Sequence, residues 1–135
     1  MPQGRPIPGS PRRWLARARG DLALARAPLP EGGFYEDLCF HAQQGAEKAL
    51  KALYLNRGWV FRYVHDLEEL ITGLRQHSLA IPAEIEDVVV LTSYAFEARY
   101  PSLGEPVTEE EYRQALNLAE RVVHWVESLV GSTSP

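Results

Sequence analysis

Between Phe34 and Gly58 the chain carries an unbroken helical period built largely from small residues. Leu38, Ala42, Ala46, Ala49 and Leu53 recur at steps of four, four, three and four, so they fall in one row along a helix. Tyr35, Cys39, Phe40, Leu50 and Tyr54 widen that row. Alanine lets a neighbouring helix approach closely, which marks Phe34–Arg57 as the central helix of a bundle, with Gly58 as its left-handed cap.

The rest of the chain follows the same period. Trp14, Ala18, Leu22 and Ala25 share one face of a helix that starts at Pro11 and is stopped by Ala27-Pro28-Leu29-Pro30. Asp66 with Glu69 reads as a capping pair for a short helix, Leu67 to about Gln76, with Leu67, Leu70, Ile71 and Leu74 inward. Pro82 suits the first position of a fourth helix, carried by Ile85, Val88, Val89, Thr92, Ala95, Phe96 and Arg99 until Pro101 ends it. Thr108 with Glu111 is a capping box for the last helix, which shows Tyr112, Ala115, Leu116, Ala119, Val122, Val123, Val126 and Leu129 on one side. The expected fold is all-α, an antiparallel up-and-down bundle of about five helices.

At 135 residues, with 45% hydrophobic and 24% charged, the chain has the make-up of one soluble globular domain. The reading assigns 1–11 to a flexible lead-in, 12–130 to the helical domain and 131–135 to a tail. The single Cys39 cannot form an internal disulfide, which fits a reducing, cytoplasmic compartment. The longest apolar run, Val88 to Leu91, is far too short for a membrane span, so no membrane role is expected. No metal-ligand spacing, glycine-rich phosphate loop or nucleophile elbow occurs, and no cofactor is expected.

Charge is unevenly spread. Residues 1–26 hold six arginines against one acid, whereas residues 27–135 hold eight bases against seventeen acids. The basic arm either contacts an external anion or pairs with the acidic remainder of the protein.

Several polar groups stand out as candidates. His41, Gln44, Lys48 and Lys51 fall in a row on the central helix; they could contact phosphate or form a solvated face, with Glu47 and Lys51 as an ordinary ion pair. His65 precedes a helix start, where the dipole favours the neutral imidazole. Arg99-Tyr100-Pro101 sets a permanent charge beside a ring at a helix end, suited either to capping or to recognising phosphate and base. The aromatic segment Trp59-Val60-Phe61 is more apolar than a connecting loop needs, which suggests an association surface.

Phe40-His41-Ala42-Gln43-Gln44-Gly45-Ala46-Glu47-Lys48-Ala49-Leu50-Lys51-Ala52 resembles the second-helix signature of the HEPN domain family. Trp14, Ala18, Asp21, Leu22 and Ala25 resemble its first helix, and His65-Asp66-Leu67 with Leu70, then Ala98-Arg99-Tyr100-Pro101, follow in the right order. The resemblance spans about residues 12–130 and implies a helical bundle, usually a homodimer. Many prokaryotic members work beside a small nucleotidyltransferase as a toxin–antitoxin pair; others bind nucleotides, and many are metal-independent ribonucleases. Those ribonucleases carry an arginine followed after four to six residues by a histidine. Here Arg99, Arg113 and Arg121 have no histidine at that spacing, and His124 follows Arg121 too closely. No catalytic residue is therefore carried over. The expectation is a nucleotide- or RNA-binding subunit with a small nucleotidyltransferase partner, with Arg99, Tyr100, His65, Lys48, Lys51 and His41 as candidate phosphate contacts. A ribonuclease with a divergent site at Arg99, Tyr100 and His65, or a structural dimerisation module, are the alternatives.

Overall fold

The computed structural model describes residues 9–62, 66–94 and 106–131. They form α1 (Pro11–Ala25), α2 (Tyr35–Arg57), α3 (Leu67–Gln76), α4 (Ala83–Glu86), a 3₁₀ helix (Asp87–Ser93) and α5 (Glu109–Val130). No strand occurs among the described residues, and the fold is an all-α bundle. No described helix is long and apolar enough to cross a membrane.

Local chemistry sets each boundary. Ser10 Oγ accepts the Arg13 N–H at 3.2 Å, and Pro11 sits in the first turn, where a missing N–H costs nothing. Gly58 ends α2 at φ 75°, a left-handed conformation that a side chain would strain. The α5 capping box forms as read: the Glu111 N–H donates to Thr108 Oγ1 at 3.1 Å, and the Thr108 N–H donates to Glu111 Oε1 at 2.9 Å. Asp66 does cap α3, but the rest of that reading is corrected. Its carboxylate accepts the Glu68 N–H, while Glu69 turns away to accept two bonds from Arg62.

The central helix is α2, packed against both α1 and α5. Ala42, Ala46 and Ala49 are fully buried, as their spacing required. Gly45 lets α1 come close: a Cβ there would stand 3.2 Å from both the Ala18 carbonyl oxygen and Leu22 Cδ2. Two ion pairs, Arg19–Glu127 and Arg26–Glu120, each at 2.6 Å, align α1 antiparallel to α5. The Tyr112 hydroxyl donates to the Ala25 carbonyl at 2.6 Å, and its ring stacks on Tyr35 at 5.1 Å.

The fourth helix departs from expectation. Only Ala83–Glu86 is α-helical, and the chain then tightens into a 3₁₀ helix. Three successive β-branched residues, Val88-Val89-Val90, lose side-chain freedom in an α-helix, and the three-residue period sends Ile85, Val88 and Leu91 inward together. Ala95, Phe96 and Arg99 of that expected helix lie outside the described residues.

The aromatic loop is also largely absorbed by the chain itself. Trp59 stacks on His77 at 4.1 Å with nearly parallel rings, and Phe61 meets Tyr54 edge-on at 5.4 Å. Of these three residues Val60 alone is exposed, at 68%. The loop therefore offers less association surface than its composition suggested.

Candidate functional site

Two polar constellations are built on α2, one sealed and one open. The sealed one is the row Gln43, Glu47 and Lys51, spaced by four so that all three face one side. Lys51 Nζ donates to Glu47 Oε2 at 2.8 Å, and Gln43 Nε2 donates to Glu47 Oε1 at 2.9 Å. The side chains of the ion pair are only 5% and 4% exposed, and the ammonium lies 5.5 Å from the Phe61 ring centroid. A buried charge survives when its partner is equally buried and its lone pairs are satisfied, as here. Below this row, the Tyr54 hydroxyl donates to the Leu70 carbonyl at 2.6 Å, and burial pushes its pKa up to about 12, with Glu69 adding to the rise.

The open constellation sits at the α1–α2 corner. Asp21, on α1, is nearly buried and takes two partners from α2: His41 Nδ1 lies 3.1 Å from Oδ1, and Lys48 Nζ donates to Oδ2 at 2.7 Å. One carboxylate thus gathers an imidazole and an ammonium two helical turns apart. When the His41 Nδ1–H donates to Asp21, Nε2 is left as the acceptor.

Lys48 also lines a pocket of about 300 Å³, which among the described residues is walled as well by Gly9, Arg13, Trp14 and Arg17. The indole edge packs where Gly9 has no side chain: a Cβ at Gly9 would stand 3.4 Å from Trp14 Nε1. Arg13 and Arg17 are exposed and form no ion pair among the described residues, whereas Arg19 on the same helix and Arg26 just past its end are tied to α5 carboxylates. Like charges four apart on a helix repel by a few tenths of a kcal/mol. Two arginines without an ion pair among the described residues, and Lys48 with its ammonium on Asp21, thus line one concavity of a chain whose net charge is −4.

Set against the sequence reading, the structure joins His41 and Lys48 through Asp21 but separates Lys51, which is buried against Glu47 and Phe61. The helical row splits because α2 is covered on both sides, so a step of three residues carries Lys51 from the α1 edge into the interior. Gln44 donates to Gln43 Oε1 at 2.7 Å. Arg99, Tyr100 and His65 lie outside the described residues. The sequence reading passed over Arg13, Arg17, Trp14 and Asp21 as site residues. The available signal was the arginine pair four apart beside an aromatic at a helix start.

Among the described residues no group of three histidine, cysteine, aspartate or glutamate side chains could hold a metal ion, and Cys39 is fully buried. The corner can bind an anion through fixed donors, and it can orient one imidazole.

Comparison with known proteins fits this architecture. The HEPN domain profile matches residues 11–129. The crystal structure of TT1696 from Thermus thermophilus superposes with a TM-score of 0.77 at 35% identity, covering 87% of this chain and 96% of that one. The crystal structure of ST0689, described as an archaeal HEPN homologue, gives a TM-score of 0.73 at 31% identity, covering 91% of this chain and 99% of that one. No curated protein matches the chain. With the profile running from the first residue of α1 almost to the end of α5, the chain belongs to the HEPN domain family.

Proposed function

We propose that this HEPN protein is a nucleotide- or RNA-binding subunit, homodimeric and cytoplasmic, that works with a small nucleotidyltransferase partner as a toxin–antitoxin-like pair. The observation that carries the binding half is the convergence of Arg13, Arg17 and Lys48 on one pocket of an acidic chain. Guanidinium groups offer fixed donor pairs that match phosphate oxygens, and their mutual repulsion is relieved when an anion enters. Arg99, Tyr100 and His65 are proposed as further phosphate or base contacts, from the chemistry of their side chains. The reading assigns binding rather than cleavage, since no arginine here is followed by histidine at the ribonuclease spacing. The nucleotidyltransferase partnership and the homodimer rest on the family resemblance.

Binding is tested by titrating labelled single-stranded RNA and labelled nucleotide at low and moderate salt. Saturable binding that weakens with salt, and weakens again in Arg99→Ala with helix content unchanged, supports the reading. Equal binding by Arg99→Ala removes Arg99 from the site, and no binding of either ligand overturns it. Partnership is tested by co-expression with a nucleotidyltransferase encoded beside this gene. A complex that survives gel filtration supports it, and separate elution refutes it. Light scattering that returns one-chain mass at micromolar concentration contradicts the dimer.

A further inference from the structure

We infer that His41 is a phosphoryl-accepting histidine, modified on Nε2 by a small donor whose phosphoryl group is bonded to nitrogen, with Asp21 as its positioning residue. The step needs no nucleotide, so it stands or falls apart from the binding reading above.

The imidazole is held from two directions. Its Nδ1 lies 3.1 Å from Asp21 Oδ1 across the α1–α2 seam, and the Phe40 ring meets it edge-on at 5.4 Å. An ionised carboxylate only accepts, so Nδ1 carries the proton, and in the uncharged ring the lone pair sits on Nε2. Nε2 makes no hydrogen bond among the described residues. The side chain is 33% exposed, which leaves a small donor room to reach the ring.

The other described histidines lack this setting. His77 lies flat against Trp59 at 4.1 Å, and His124 is exposed on α5. Neither bonds a carboxylate among the described residues, so nothing there fixes which nitrogen holds the proton.

Charge in the seam suits the product. Phosphoramidate, the simplest donor of this class, carries its own nitrogen protonated. When Nε2 attacks phosphorus, a new P–N bond forms there, the donor P–N bond breaks, and ammonia leaves with that electron pair. The Nδ1 proton stays where it is. The ring ends as a cation bearing a phosphoryl dianion, and no further reactant is needed. Asp21 then faces a full positive charge at Nδ1, which strengthens a bond already in place. The dianion is offset by Lys48, whose ammonium is 2.7 Å from Asp21 Oδ2, and by Arg17, one turn before Asp21 on α1.

Incubation of the full chain with phosphoramidate, followed by phosphorus magnetic resonance and peptide mapping under alkaline conditions, tests this. In the folded protein His41 should be labelled about tenfold faster than His77 or His124, and on Nε2. Unfolding in urea should bring the three to one rate, a comparison that requires no variant. His41→Gln should abolish the fast phase and leave the slow labels. Asp21→Asn should slow the fast phase by about tenfold at unchanged helix content. Because an amide donates as well as accepts, it should also spread the label over both ring nitrogens. Even labelling of the histidines in the folded protein overturns the proposal, as does a fast label on Nδ1 of His41. A rate and an Nε2 preference that survive Asp21→Asn overturn the positioning role.

Discussion

Replacing Asp21 with asparagine should move stability and affinity in opposite directions. Asp21 is 8% exposed and accepts from Lys48 at 2.7 Å, with His41 Nδ1 at 3.1 Å. Asparagine keeps the shape and one acceptor but loses the charge. The two lost charge-assisted contacts are partly solvated on the α2 side, with Lys48 28% and His41 33% exposed. A cost of about 1–3 kcal/mol follows. In a chain of this size that lowers the melting temperature by roughly 3–11 °C. Ligand binding should improve at the same time. The variant removes the negative charge that holds Lys48, a residue of the pocket wall, and frees its ammonium. Relieving one unit of like-charge repulsion at a partly solvated site is worth on the order of 1 kcal/mol, or near fivefold in affinity. Urea unfolding and titration with adenosine 5′-monophosphate, done on the same preparation, measure both effects. If Asp21→Asn binds more weakly while remaining as stable as the wild type, Asp21 orients the ligand rather than restraining Lys48, and the electrostatic account fails.

Other outcomes follow from the packing. Ala46→Leu inserts three carbons into a fully buried position on the central helix and should cost roughly 1–3 kcal/mol in urea unfolding; an unchanged midpoint would contradict the burial. Gly73→Ala places a Cβ 2.1 Å from the Tyr54 hydroxyl, so it should destabilise despite alanine's helix preference of about 1 kcal/mol. Tyr54→Phe should rescue most of that loss in the double variant, and additive effects would refute the clash. The Tyr54 hydroxyl ionises near pH 10 when unfolded and at about 12 when folded, so the folded protein holds its proton more tightly. Its contribution is complete below pH 10 and is lost as the pH climbs toward 12. Alkaline unfolding of Tyr54→Phe should show a shallower decline than that of the wild type.

How far the sequence carried depended on whether a signal was local. Helix α2, its buried alanines, Gly58 as cap and the Thr108–Glu111 box were all readable, because period and capping chemistry act over a few residues. The stretch after Pro82 misled, because the β-branched run kept apolar residues at a spacing that α and 3₁₀ helices share for one or two turns. Lys51 was placed with Lys48 because both fit one helical row. Only packing on both sides of α2 reveals that Lys51 is interior. The pocket was not legible at all, since Lys48 joins Arg13 and Arg17 from a helix more than thirty residues away. Arg13 and Arg17 did carry a local mark, a pair of like charges beside Trp14. What the sequence lacked was any sign that α1's later arginines would be neutralised by Glu127 and Glu120 while these two would not.

The central claim is that the α1–α2 corner is where this HEPN protein holds a nucleotide phosphate. Nuclear magnetic resonance of the labelled protein tests it most directly, because the chain has three tryptophans in three settings. Trp14 lines the pocket, Trp59 stacks on His77, and Trp125 lies on α5. On titration with adenosine 5′-monophosphate, the Trp14 indole resonance and the backbone amides of Arg13, Arg17 and Lys48 should shift together along one saturable curve. The Trp59 and Trp125 indoles should stay in place. Shifts centred on Trp59 or Trp125, or saturable binding with the Trp14 indole unmoved, would contradict the account.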